Sequence, residues 1–297
     1  MIAIIVALIP AVAWGLNPTI VGKIGGKPIQ QQLGTAFGAG IFAVAVYAIF
    51  RPEITAQLLL GCIISGLFWS FAQLLQYKSY TVLGTGKAYA ISTAANLIIN
   101  ALLGIFLMND WAKPSQKILG FIALAVIIIG AATSSYSQNK EESNLKLGVI
   151  MLIVAGVGYA VYSCAPTFVN AGGVEAVFPQ AIGMVGGSLF LSLFEKKDIK
   201  KFDKLTAKNM IPGFVWAVAN ITLIYSNKMN SAAVGFSLSM MSVVVSTFAT
   251  LFILKEKKSK KEMVFLITGT IIVAVGGIMI GLTLLLCSVC AVHIQSI

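Results

Sequence analysis

Apolar residues run along this chain in stretches of about 20, separated by short polar segments. Each stretch is long enough to cross roughly 30 Å of hydrocarbon as a helix. Strands of a membrane barrel would alternate apolar and polar positions over about ten residues, and these stretches do not. The pattern predicts ten helices, at about 2–22, 32–50, 55–77, 84–108, 117–136, 146–169, 175–194, 209–228, 231–254 and 263–286. In lipid every backbone N–H and C=O needs a partner within the protein, which a helix supplies by itself. The expected fold is an all-α membrane protein with ten transmembrane helices.

The second half of the chain echoes the first. Gly66-Leu-Phe-Trp69-Ser-Phe-Ala72-Gln73 recurs 147 positions later as Gly213-Phe-Val-Trp216-Ala-Val-Ala219-Asn220. The same offset carries Ser79 onto Ser226, Ser92 onto Ser239 and Leu107 onto Leu254. Pro18-Thr-Ile-Val resembles Pro166-Thr-Phe-Val, and paired glycines follow each, Gly25-Gly26 and Gly172-Gly173. Gln31-Gln-Leu-Gly34-x3-Gly38 matches Gln180-Ala-Ile-Gly183-x3-Gly187. An odd number of crossings separates the copies, so counterpart helices run in opposite directions. Inverted repeats of this kind build many secondary transporters, with substrate held near the midplane. The expected organisation is a first five-helix repeat at 1–137, a cytoplasmic linker at 138–146, a second five-helix repeat at 147–286 and a C-terminal tail at 287–297. Glycines four apart (Gly34/Gly38, Gly183/Gly187, Gly277/Gly281) let helices approach closely, either as static packing or as surfaces that slide during gating. Prolines 10, 18, 166 and 212 are each expected to remove a backbone hydrogen bond and kink a helix, which marks helices one and six as candidate cavity walls.

Composition agrees: 58% of residues are hydrophobic and 10% charged, with mean hydropathy +0.92, outside the range of soluble domains. A net charge of +11 would suit a nucleic-acid partner, but the placement of the lysines argues against one. With the N-terminus outside, the cytoplasmic loops hold Lys23, Lys27, Lys78, Lys87, Lys140, Lys146, Lys196, Lys197, Lys200, Lys201, Lys204, Lys208, Lys255, Lys257, Lys258, Lys260 and Lys261, 17 of the 21 basic residues. Arg51, Lys113, Lys117 and Lys228 remain outside. This asymmetry places both termini outside. The basic loops then face anionic head groups of the bilayer, where each lysine contributes on the order of 1 kcal/mol. The first apolar run lacks a basic segment before it and is too long for a signal peptide, so it is expected to stay as helix one.

Enzyme chemistry finds little support. All ten carboxylates fall in loops or at helix ends, and the single histidine lies in the tail. Neither a His-Glu-x-x-His pair nor a Gly-rich phosphate loop occurs. Cys287-Ser-Val-Cys290 with His293 has redox or metal spacing, but it ends an apolar segment and offers no fourth ligand. No cofactor and no metal site are expected. Proton coupling usually relies on an intramembrane acid or histidine; the nearest candidate, Glu175, reads more simply as a capping or surface acid. The membrane segments instead hold amides, hydroxyls and aromatics: Trp14, Asn17, Gln31, Trp69, Gln73, Asn96, Asn100, Tyr159, Tyr162, Gln180, Trp216, Asn220 and Ser239. Trp69/Gln73 and Trp216/Asn220 place an indole and an amide four apart, on one helical face, twice. An aromatic plane against the apolar face of a sugar, with amides meeting its hydroxyls, is a means of binding a neutral polyol. Trp111, at a helix end, reads as an interfacial anchor.

Ile9-Pro-Ala-Val-Ala-Trp14-Gly-Leu-Asn-Pro-Thr, Gly26-Lys-Pro-Ile-Gln-Gln31, Phe68-Trp-Ser-Phe-Ala-Gln73, Phe178-Pro-Gln180-Ala-Ile-Gly-Met-Val-Gly and Pro212-Gly-Phe-Val-Trp-Ala-Val-Ala-Asn220 resemble segments of the glucose/ribose porter family, within the drug/metabolite transporter superfamily. The match covers roughly residues 1–281 and is closer to ribose than to glucose uptake proteins. The resemblance implies ten helices, residence in the cytoplasmic membrane of a Gram-positive bacterium, and sugar uptake. Small drug exporters of the superfamily carry an acid in helix one; Trp14 and Asn17 stand there instead, which argues against cation export. Residues Thr283–Ile297 extend beyond the family pattern and are expected to be peripheral. The reading is a secondary carrier importing ribose or glucose by alternating access, with Trp14, Asn17, Gln31, Trp69, Gln73, Gln180, Trp216 and Asn220 lining its cavity. An exporter of an amino acid or nucleoside, or a membrane sensor that transports nothing, remains the alternative. The preferred sugar, the coupling ion and the oligomeric state stay open.

Overall fold

The computed structural model describes residues 2–108, 113–136, 142–171, 173–196, 198–230 and 238–294. All regular structure among them is helical. In chain order the helices are α1 (Ile2–Ile24), α2 (Pro28–Phe50), α3 (Ala56–Leu83), α4 (Thr85–Leu103), α5 (Pro114–Ser134), α6 (Glu142–Cys164), α7 (Val174–Ser192), the short α8 (Lys204–Lys208), α9 (Met210–Asn230), α10 (Ser242–Phe252) and α11 (Lys260–Ile294). A π-helical turn, Gly104–Met108, extends α4, and a 3-10 turn, Ala165–Val169, follows α6.

Among the described residues, eight helices are long and apolar enough to cross a membrane: Ile4–Ile24, Pro28–Phe50, Ala56–Leu83, Thr85–Phe106, Pro114–Ser134, Leu145–Val169, Val174–Ser192 and Lys260–Thr283. The crossings expected at 209–228 and 231–254 correspond to α9 and to the 11-residue apolar helix α10. Positions 231–237, Trp111, Asp110, Gly172 and linker residues 138–141 lie outside the described residues. So do the side chains of Cys287, Cys290 and His293, although α11 carries the backbone helix through Ile294 and hence through most of the expected tail.

Local sequence explains the helix starts. Pro28 and Pro114 open α2 and α5, where a missing N–H costs nothing. The Thr55 hydroxyl accepts from the Leu58 amide ahead of α3, and Ser259 with Glu262 forms a reciprocal capping box ahead of α11. Of the prolines expected to kink helices, Pro10 and Pro18 do lie inside α1. Pro212 instead falls in the first turn of α9, where it interrupts no intrahelical bond, and Pro166 belongs to the 3-10 turn.

The helices pack in a pattern of paired neighbours. Helix α3 lies against α6 and α7, and α9 lies against α1 and α2; α4 packs on α6, α10 on α1, α2 on α7 and α5 on α11. The tightest crossings are made by glycine. A Cβ on Gly66 would fall inside the Gln180 carbonyl of α7, and one on Gly213 inside the Thr35 carbonyl of α2. Gly183 lies against Ile63 and Gly66, and Gly38 against Met210 and Gly213. These crossings set Gly38 in the place of Gly183, whereas the sequence match pairs Gly34 with Gly183. The discrepancy is one helical turn, and glycines four apart occupy the same face either way. Gly130 and Gly269 make a further close crossing between α5 and α11.

One end of the bundle is tied by a docked strap. Asp203 caps α8 through the amides of Leu205 and Thr206, and these donors, the Thr206 amide foremost, hold its carboxyl below the usual carboxylate range. The Gln30 amide donates to the Lys200 carbonyl and to Asp203 Oδ2, at 2.8 and 2.9 Å, and Asn209 donates to the Gly25 carbonyl at 3.0 Å.

Gly66→Ala would force two backbones apart and lower the melting temperature of the detergent-purified protein, with a cost of about 1–3 kcal/mol. Gly186→Ala, where the added methyl meets nothing within 4 Å, leaves it unchanged or slightly higher.

Candidate functional site

The close crossings bring two tryptophans together at the centre of the bundle. Trp69, one turn beyond Gly66 on α3, and Trp216, one turn beyond Gly213 on α9, stand with ring centroids 5.1 Å apart and planes tilted by 59°. Tyr162 of α6 joins them at 6.0 Å from Trp216. Ala36, Ala39, Met184 and Ala217 pack around this pair.

Beside the tryptophans lies a cavity of about 500 Å³. Seven of the eight residues expected from the sequence line it: Trp14, Asn17, Trp69, Gln73, Gln180, Trp216 and Asn220. Asn96, Asn100, Tyr159, Tyr162 and Ser239, also noted in the sequence as polar membrane residues, line it too. Gln31 does not. It sits at the start of α2, where its side chain donates to the Gly26 carbonyl at 3.4 Å. Its neighbours are likewise engaged: Gln30 holds the strap, and Gln32 donates to Ser188 Oγ at 2.8 Å in the interface with α7. Three consecutive glutamines on a helix point in three directions, and none of the three lines the cavity.

The face of α3 that carries Trp69 and Gln73 extends further than the sequence suggested. Gln76, Tyr77 and Tyr80 continue it at helical spacing, so one face of α3 is amide and phenol for three turns. The missed signal was this spacing. Tyr159 of α6 donates to Gln73 Oε1 at 2.9 Å and also contacts Gln76 Oε1. The Gln76 amide donates to the Tyr80 hydroxyl at 3.0 Å, and the Tyr77 hydroxyl pairs with Thr35 Oγ1 at 2.9 Å. On α4, Asn100 donates to the Asn96 carbonyl at 2.9 Å, and Tyr89 reaches Ser242 Oγ on α10 at 3.4 Å.

Three of the lining amides, Asn17, Asn220 and Gln180, keep part of their hydrogen-bonding capacity. Asn17 Nδ2 donates to the Pro212 carbonyl at 2.9 Å, Asn220 Nδ2 to the Trp216 carbonyl at 2.9 Å, and Gln180 Nε2 to Ser65 Oγ at 2.9 Å. One donor of each amide is thereby fixed, which orients the side chain and leaves its second N–H and carbonyl capacity for something else. The Trp14 indole nitrogen is buried with no partner among the described residues. None of the described lining residues carries a charge, and among the described residues no group of three metal-ligating side chains forms. The arrangement can hold a neutral, hydroxyl-rich molecule between ring faces and amides. It offers no general base and no nucleophile set beside one.

Comparison with known proteins agrees with this chemistry. The profile of the family described as "Sugar transport protein" matches residues 5–283. A protein assigned to sugar uptake in Listeria monocytogenes is 45% identical, covering 94% of this chain and 98% of its own. One assigned to ribose uptake in Latilactobacillus sakei is 40% identical over 92% of this chain and 96% of its own. The glucose uptake protein GlcU of Bacillus subtilis is 36% identical over 94% and 98%. A crystal structure of a protein 13% identical superposes with a TM-score of 0.62 over 94% of this chain and 96% of that one, a likeness of fold alone.

Tyr159→Phe removes the hydroxyl shared by two buried amide oxygens. It should destabilise the purified protein by about 1 kcal/mol, read as a lower melting temperature, whereas Tyr225→Phe, at an exposed position, should change nothing.

Proposed function

Because the chain belongs to the Sugar transport protein family, we propose that it imports a neutral monosaccharide, ribose or glucose, by alternating access. It is a multi-pass membrane protein and a transporter, not an enzyme. The observation that carries the substrate reading is the uncharged lining of the 500 Å³ cavity, in which amides, hydroxyls and indoles stand among aliphatic side chains. That volume lies within the range of about 300–1,000 Å³ usual for small-molecule sites. Burying an ion there without a counter-charge would be far costlier than burying a polyol, whose hydroxyls can each find a partner.

The proposed binding set is Trp14, Asn17, Trp69, Gln73, Gln180, Trp216 and Asn220, with Gln76 and Tyr159 added and Gln31 left out. Trp216 would stack on the apolar face of the sugar ring, with the buried Trp69 behind it fixing its place. The amides would replace its water. The proposed machinery is two inverted five-helix bundles, 1–137 and 147–286, joined by the linker 138–146. Helix neighbours support this division: α3 with α6 and α7 is matched by α9 with α1 and α2, and α4 with α6 by α10 with α1. The Gly66 and Gly213 crossings are a second matched pair. Lysine-rich loops would face the cytoplasm and its anionic head groups, with both termini outside.

Uptake of radiolabelled ribose and glucose into transport-deficient cells tests the reading. Expression should restore saturable uptake of at least one. Trp216→Ala and Asn220→Ala should each lower kcat/KM about 10- to 100-fold at unchanged membrane levels, and Gln31→Ala should leave it intact. Accumulation of neither sugar, with efflux of an amino acid or nucleoside instead, would overturn the assignment.

A further inference from the structure

Beyond one end of the cavity a carboxylate ties the start of α4 to the segment after α10. The cavity lining reaches Ser163 and Thr167, which are exposed, beside the turn after α6. At the other end the lining stops at Tyr80, Tyr89 and Ser242. Below that layer α4 and α10 meet along a seam: Tyr89 donates to Ser242, and Gly86 is so close to Thr250 that a Cβ there would lie 2.5 Å from its hydroxyl oxygen.

Glu256, just past α10, completes the seam. Its Oε1 accepts from the backbone amides of Thr85 at 2.6 Å and Gly86 at 3.2 Å. These are the first residues of α4, whose N-terminal amides lack intrahelical acceptors and carry the positive end of the helix dipole. Gly84 before them has φ of 79°, a conformation that favours glycine. Oε2 lies 3.3 Å from Lys258 Nζ, close enough to balance charge but without the alignment of a hydrogen bond. A carboxylate on two helix-terminal amides is a strong, charge-assisted contact. It joins chain segments about 170 residues apart across the two proposed bundles.

We propose that Glu256, seated on the Thr85 and Gly86 amides, is the latch that holds the cavity shut on the side of residues 84–86, and that it leaves those amides when the carrier opens to that side. Glu256 is a positioning residue: it touches no substrate and acts by setting which face of the cavity is open. The proposal rests on the alternating-access reading. Its test needs no sugar, so an error in the substrate would not disturb it.

The test is two-sided thiol labelling of Asn96→Cys, a cavity position, with a membrane-impermeant maleimide in vesicles of each orientation. Labelling of the chain without the added cysteine gives the background. In the otherwise native chain, labelling comes mainly from the side of Ser163 and Thr167. Glu256→Ala should raise labelling from the side of residues 84–86 about tenfold, the population change expected from losing a contact of about 1.4 kcal/mol, and lower it from the opposite side. Thr85→Pro makes an independent variant. It deletes the amide that gives the 2.6 Å contact while placing proline where a helix start accepts it, so it serves if Glu256→Ala fails to accumulate. Unchanged labelling from both sides in a folded variant, or an equal rise from both, would overturn the proposal.

Discussion

Helices can keep polar side chains inside a bilayer only if their neighbours come close enough to exclude lipid. In this protein that closeness depends on glycine set against backbone carbonyl. Gly66 meets Gln180 on α7, and Gly213 meets Thr35 on α2, with no room for a side chain at either point. Association in lipid has no hydrophobic effect to drive it, so such contacts and the hydrogen bonds they permit must supply the cohesion. One turn further along, the same two helices present Trp69 and Trp216 to each other. The floor of the cavity is therefore a consequence of the packing.

Once the helices are packed, the cavity's character follows from what its walls lack. The described lining contains no acid, lysine, arginine or histidine. Charged side chains cluster at the helix ends and in the loops, where Asp203 caps α8 and Glu256 caps α4. A neutral pocket avoids the large cost of an unpaired buried ion. It also discriminates: a site of partly satisfied amides favours a ligand that completes their hydrogen bonds and disfavours one that leaves them bare. Carboxylates at the helix ends are free to serve as mechanical ties between segments while the interior remains neutral.

Much of this was legible in the chain. Apolar run length decides the membrane class, and the recurrence of Gly-x2-Trp-x3-amide located the two helices that meet at the cavity. What resisted was register and direction. Gly34/Gly38 and Gly183/Gly187 repeat every turn, so matching by sequence cannot tell which turn makes the crossing. Gln31 resembled Gln180 in its local motif, yet it faces the loop after α1 because α2 begins four residues earlier than the apolar run, at Pro28. The continuation of the Trp69 and Gln73 face through Gln76, Tyr77 and Tyr80 was hidden by an apolar surround: Phe68, Phe71 and Leu67 on the other face of α3 are exposed, which masks a polar face when hydropathy is averaged along the helix. Pro212 could not be told from a kinking proline without knowing where α9 starts.

The central claim is that an uncharged pocket between ring faces and amides selects a neutral sugar. Three of the protein's four tryptophans, Trp14, Trp69 and Trp216, line that pocket, so their fluorescence reports its occupancy. Titration of the purified protein with ribose, glucose, ribose 5-phosphate and glucose 6-phosphate measures the claim directly. The account predicts a saturable change with at least one neutral sugar and none with the charged analogues at equal concentration. Equal or tighter binding of a charged analogue, or no response to either neutral sugar, would contradict it.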